Sequence, residues 1–311
     1  MKQTVSELMK EGIRITRWED TTGNTLDEII EKLSSIPENN NDNACTRYLD
    51  WEVDKIFESN INIELSGQKI EYNAFKFSFT YVPVGYQKDD DVSSIKTGFI
   101  IVYKSKGKIR YIIDKNSDAL SMLRKKLSYT GRSEVRRDTY PFKKYHFIWL
   151  IGKIYIGNNI LEGSEGLNDL SICTIRGFKG DTENSLATIK AEGEDVIKSL
   201  STSCFLIESD KLDQISMEME YKHYKNISVK LMNKTINLLT NRCLGVSSDK
   251  DIFELILTLY IEIVPIIIQN YDNEVSSGQW NEEKYTEFLK RVAEDVNTGI
   301  KSKLKISTGE E

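Results

Sequence analysis

The spacing of apolar positions changes twice along this 311-residue chain, from a helical repeat to strict alternation and back, and each change predicts a new kind of element. Thr25-Leu26-Asp27-Glu28 has the form of a capping box, in which threonine and glutamate side chains satisfy orphan amides at a helix start. Leu26, Ile29, Ile30 and Leu33 follow as an apolar stripe. Residues 1–56 therefore read as a helical segment, broken by Pro37 and the polar run at 38–43 (ENNNDN).

Alternation then takes over. Ile61, Ile63 and Leu65 lead into a Ser66-Gly67 turn, and Ile70 and Tyr72 resume the pattern. Phe75, Phe77, Phe79 and Tyr81 keep period two, with Lys76, Ser78 and Thr80 on the opposite face. Residues 98–103 and 108–113 predict a hairpin around Lys106-Gly107. Consecutive strands without helices between them pair antiparallel, and the apolar face of such a sheet needs helices to cover it. Residues 57–160 thus predict an antiparallel β-sheet domain. It ends in a helix capped by Asn116-Ser117-Asp118, with Leu120, Leu123 and Leu127 on one side, and an aromatic helix over 142–155.

After the glycine-rich loop at 157–166, residues 161–311 predict a mixed region and a helical tail. Strands at 171–177 and 203–207 flank a helix over 184–200, and strands follow at 217–224 and 227–231. Helices span 248–270 and 281–301, with a break at Ser276-Ser277-Gly278. The fold class is α+β: an antiparallel sheet region with flanking helices, a second mixed region, and a helical carboxy-terminal section. In the first tail helix Phe253, Ile256, Leu257, Tyr260, Ile261, Val264, Ile267 and Ile268 cover more than one stripe, so the helix is expected to be buried on several sides. The helix over 281–301 and a second copy of the chain are the expected cover, which makes a homo-oligomer the expected state.

Composition narrows the classes. With 39% hydrophobic and 29% charged residues the chain is an ordinary globular protein. Its longest greasy run, 252–268, holds Glu254, Glu262 and Pro265 and is too short for a membrane helix. The amino terminus has no continuous apolar core, so no signal peptide is expected there. The four cysteines form no metal-ligand pair and read as reduced, mostly buried thiols of a cytoplasmic protein. Abundant Asn, Ile and Lys with only four prolines points to an AT-rich genome, bacterial or phage.

Charge changes the picture most. Residues 124–144 carry eight basic and two acidic side chains in a chain of net charge −6. Arginine presents a planar fork that grips phosphate or carboxylate at two points, where lysine is a hydrated point charge. Arg124, Lys125, Lys126, Arg132, Arg136, Arg137, Lys143 and Lys144 are the candidate anion-binding residues, with Tyr129, Tyr140 and Tyr145 as stacking neighbours. The competing expectation is that this stretch pairs with the acidic remainder of the same chain or of a second subunit.

Other chemistry is thin. Glu220 and Lys222, with Asp213 upstream, have the spacing of an ExK metal-nuclease site, in which carboxylates hold Mg²⁺ and the lysine steadies developing charge. The bland reading of the same residues is an exposed charged strand face. His146 lies in an apolar segment and reads as a satisfied boundary residue, and the distant His223 cannot complete a zinc site or triad. Asp89-Asp90-Asp91 lacks the spacing of a calcium loop. The sequence therefore predicts a non-enzymatic interaction protein with no cofactor and no membrane contact. It would engage nucleic acid or an acidic protein through 124–144. A Mg²⁺-dependent nuclease and a phage or host-conflict protein are the alternatives.

Overall fold

The computed structural model describes residues 12–36, 47–88, 90–115, 118–131, 133–140, 142–163, 168–181, 188–193, 196–208 and 211–308. The run at 38–43, Cys45, Asp89, Asn116-Ser117 and Arg132 lie outside them. The architecture is α+β, and every pairing among the thirteen described strands is antiparallel. The chain divides into two compact units. The first takes residues up to 139 with 235–241 and 246–257, and the second takes 140–234, 242–245 and 258 onward.

The first unit does not open as a helical segment. Ile13–Asp20 is a strand, β1, followed by α1 (Leu26–Ser34) and β2 (Arg47–Lys55). Seven of the eight β1 residues are buried, Thr16, Arg17, Glu19 and Asp20 among them, so polar residues fall on both faces and no apolar alternation marks the strand's period. In β2 a bulge between Leu49 and Glu52 breaks the alternation, with Asp50 at φ 50°. The expected meander then appears as β3 (Ile61–Leu65), β4 (Gln68–Val82), β5 (Ser94–Ser105) and β6 (Lys108–Ile113). Next come α2 (Ala119–Lys126) and the short β7 (Val135–Arg137).

The α1 capping box is formed: Glu28 N–H donates to Thr25 Oγ1 at 3.3 Å and Thr25 N–H to Glu28 Oε2 at 2.6 Å. Its stripe of Leu26, Ile29, Ile30 and Leu33 is buried with Leu123 and Leu127 of the α2 region against Phe75, Phe77 and Phe79 of β4. The opposite sheet face meets Phe253, whose ring lies 5.6 Å from Phe99 and 6.1 Å from Phe57. Helices thus cover the sheet on both sides.

The second unit begins with the expected helix α3 (Lys144–Tyr155) and continues through β8 (Ile160–Leu161), β9 (Leu170–Asp181) and β10 (Thr188–Glu192). The helix expected over 184–200 is not found in its described part. Residues 188–192 pair with β9 as β10, and only Val196–Lys198 turn helically. Conversely, the strand expected at 203–207 is a helix, α4 (Leu200–Glu208), whose Phe205 stacks on Phe178 at 5.5 Å. Both reversals are tertiary: β9 offers an edge that β10 completes, and Phe178 offers the surface that α4 buries. β11 (Lys211–Tyr221) and β12 (Tyr224–Met232) follow, and β13 (Ile236–Leu238) then pairs with β1 in the first unit.

The tail runs through α5 (Asp249–Thr258), a π-helical turn at Leu259–Ile263, α6 (Val264–Ser276) and α7 (Glu282–Thr308). Ile256, Leu257, Val264 and Ile267 are fully buried, as the apolar pattern requires. These side chains are buried within the single chain. α7 packs on α4, and its Phe288 meets Tyr155 at 5.6 Å. The cysteines also depart from expectation, since Cys173 is exposed and Cys204 and Cys243 are half-buried. No described helix is long and apolar enough to cross a membrane.

Candidate anion-binding site

The central feature of the basic stretch is where β7 lies. It adds to β1 antiparallel, with Arg136 opposite Glu19 and Arg137 opposite Trp18. On its other side β1 pairs with β6, which sets Arg110 opposite Glu19. Strand side chains alternate, so Arg17 and Glu19 share one face of β1, and Arg110 and Arg136 are brought to that same face by register. Asp138, just past β7, completes the group.

Two carboxylates serve four cations here. Glu19 meets Arg136 Nη2 at 2.5 Å, Lys108 Nζ at 3.1 Å and Arg110 Nη2 at 3.6 Å. Asp138 meets Arg110 Nε at 2.7 Å and Arg17 Nε at 3.3 Å. Burial pushes the Glu19 carboxyl up, but hydrogen bonds from Lys108 and Arg136 outweigh it and hold the group below its ordinary range. Asp138 is likewise raised by burial and then pulled lower by Arg17 and Arg110. Both acids are ionised at neutral pH. The Arg136 side chain is 61% exposed and that of Lys108 50%, so both of these cations face water.

Arg137 projects to the other face, 5.2 Å above the Trp18 ring and exposed. On that face Asp20 accepts hydrogen bonds from Tyr111 at 2.6 Å and Tyr129 at 2.7 Å. Burial and the Asp20 charge raise the Tyr111 hydroxyl strongly, and burial is the main cause that lifts Tyr129 to about 12. Tyr129 also carries Lys32 Nζ 5.1 Å from its ring centre. Its ring is engaged within the fold rather than presented as a stacking platform.

The remaining residues of the stretch are dispersed. Lys126 is buried, donates to the Ser35 carbonyl at the end of α1, and is lowered by desolvation to about 8. Arg124 and Lys125 are half-buried in the last turn of α2. Tyr140, Lys143, Lys144 and Tyr145 belong to the second unit, where Lys143 caps α3 and its N–H donates to His146 Nδ1 at 3.0 Å. His146 is 4% exposed, the satisfied residue its apolar surroundings predict.

The ExK residues do not converge. Asp213 and Glu220 sit near opposite ends of β11, roughly 23 Å apart at ~3.3 Å per residue. Glu220 pairs with Lys225 at 2.8 Å, while Lys222, in the turn at φ 53°, pairs with the buried Glu262 at 2.7 Å. β11 is an interior strand between β9 and β12, and Glu218 is buried against Arg176 at 2.9 Å.

Arg17, Glu19, Lys108 and Arg110 are the site residues that sequence reasoning missed. Their i, i+2 spacing on two strands was the available signal, but it requires knowing that β1 is a strand and that β6 and β7 flank it. No family model matches the chain and no curated protein matches it, so its own residues carry the functional reading.

Proposed function

We propose that this chain is a non-enzymatic cytoplasmic binding protein that grips the phosphate backbone of a nucleic acid along the β7 edge. The observation that carries the proposal is a pair of solvent-exposed cations, Arg136 and Lys108, held on rigid strands over Glu19 and open to water. Arg136 gives one Nη to Glu19 and keeps the rest of its fork for an anion. Arg137 stands on the other side of the same edge, so the two arginines straddle it. An extended anionic chain along the edge meets a guanidinium on each side. A nuclease role draws no support from the separated Asp213, Glu220 and Lys222. A host-conflict role rests on composition alone, and nothing in the proposal requires a homo-oligomer.

Fluorescence anisotropy with labelled single-stranded and duplex DNA at ~50 mM salt tests it. Arg136→Ala and Arg137→Ala should each weaken binding and reduce the log–log salt slope by about 0.9 on duplex or about 0.7 on single strands. Folded wild-type protein that binds neither DNA nor RNA at that salt removes the proposal. Binding of polyglutamate instead transfers the site to an acidic protein.

A further inference from the structure

In the second unit a cleft of about 390 Å³ opens between α6 and the loop that joins α3 to β8, within the range of small-ligand sites. Its floor is an ion pair: Lys153 Nζ lies 2.6 Å from Glu274 Oε1, with the two side chains only 7% and 17% exposed. Trp149 Nε1 donates to the other oxygen of Glu274 at 2.7 Å, so both carboxylate oxygens are held. Two of the roughly four lone-pair positions of the carboxylate and two of the three lysine donors remain available.

The walls are fixed in place. α3 ends in a Schellman motif, with Gly157 at φ 75°, Gly157 N–H donating to Ile154 O at 3.1 Å and Asn158 N–H to Lys153 O at 2.9 Å. That motif sets Asn158 beside the floor. Asn270 then clips α6 to Glu162, the residue just past β8, accepting from Glu162 N–H at 3.0 Å and donating to Glu162 O at 2.8 Å. Asn159 donates to Ile172 O at 2.9 Å and anchors the loop. The cleft is therefore preformed, and a ligand entering it need not order the loop.

Around this floor stand the amide side chains of Asn158, Gln269, Asn273 and Gln279, which make no hydrogen bond to any described residue. Each offers both donors and an acceptor. Lys153 is neutralised by Glu274 and Glu162 adds negative charge, so an anion such as phosphate is disfavoured. Among the described residues of the lining Ile160 is the single large apolar side chain, so a lipid or flat aromatic finds little surface. Hydroxyl groups, which also donate and accept at once, match this set. We propose that the cleft binds a neutral saccharide, its hydroxyls bridging the Lys153–Glu274 floor and the four amides. The proposal is independent of the nucleic-acid reading and concerns the other unit.

Saturation-transfer NMR on the full chain with maltose and with N-acetylglucosamine tests it. Wild type should transfer magnetisation to at least one of them, with a dissociation constant on the order of 1 mM. The double variant Gln269→Ala/Asn273→Ala changes two exposed residues and should melt as wild type does while binding at least about tenfold more weakly. Lys153→Met, which breaks the floor, should abolish transfer. Inorganic phosphate at the same concentration should leave the sugar signal unchanged. Absence of transfer to both sugars from wild type, equal transfer in the double variant, or displacement by phosphate overturns the proposal.

Discussion

Replacing Glu19 by glutamine separates the structural and electrostatic roles of the β1 cluster, because it should move stability and anion affinity in opposite directions. Glu19 is 5% exposed and faces three cations. Arg136 and Lys108 reach water, so each pair contributes only about 0.2–1 kcal/mol. Arg110, 15% exposed, is better sheltered, yet it lies 3.6 Å away and keeps Asp138 at 2.7 Å, so its lost share is about 1 kcal/mol. Glutamine is isosteric but turns an amide donor toward donors. The total is about 1–3 kcal/mol, or a melting shift of roughly 4–8 °C for a 2 kcal/mol loss in a cooperative unit of this size. Differential scanning fluorimetry reads this directly. The pH dependence adds a second check. The folded carboxyl titrates below its ordinary value, so its stabilisation is present above pH ~4.3 and is lost as pH falls through the lower folded value. Wild type and variant should converge under acid conditions. The variant removes one negative charge from beside Arg136 and Lys108, so oligonucleotide binding should tighten while the protein loses stability. A variant that melts within 1 °C of wild type, or keeps its stability difference well below pH ~4, refutes the account of the cluster. Weaker binding by a folded variant refutes its role as the anion site.

Three further outcomes are expected. Lys126 is held near 8 by desolvation, so between there and its ordinary 10.5 the unfolded chain binds the extra proton and wild-type stability should rise with pH. Urea midpoints from pH 7.5 to 10 should show this rise and lose it in Lys126→Met; identical slopes would contradict the assignment. Ile256 is fully buried, so Ile256→Asp sets an unpaired carboxylate among apolar side chains and should cost about 4 kcal/mol or more, measured by urea denaturation, where an unchanged midpoint would disprove the burial. Plasmid, single-stranded DNA and RNA incubated with Mg²⁺ or Mn²⁺ should remain intact on gels, because Glu220 and Lys222 are committed to separate partners. Cleavage that vanishes in Glu220→Ala would reinstate the nuclease reading.

What the sequence determined by itself is what local physics decides. The Thr25–Glu28 box starts α1 because the caps and the donors they satisfy lie within four residues. The meander from β3 to β6 follows from period two and from two tight turns, Ser66-Gly67 between β3 and β4 and Lys106-Gly107 between β5 and β6, all four residues at positive φ. The burial of 252–267 follows from a helix with no polar face. Only the tertiary structure decided the rest. β1 is buried on both faces and loses the alternation that would reveal it, while β10 and α4 take the state their neighbours reward. The basic stretch is conspicuous in sequence, yet its charge is balanced from elsewhere: Glu19 is 117 positions from Arg136 and 89 from Lys108. Lys222 likewise meets Glu262 rather than the Glu220 two residues before it. Periods and caps are written in neighbouring residues, whereas the partner of a charge depends on which strands and helices burial brings together.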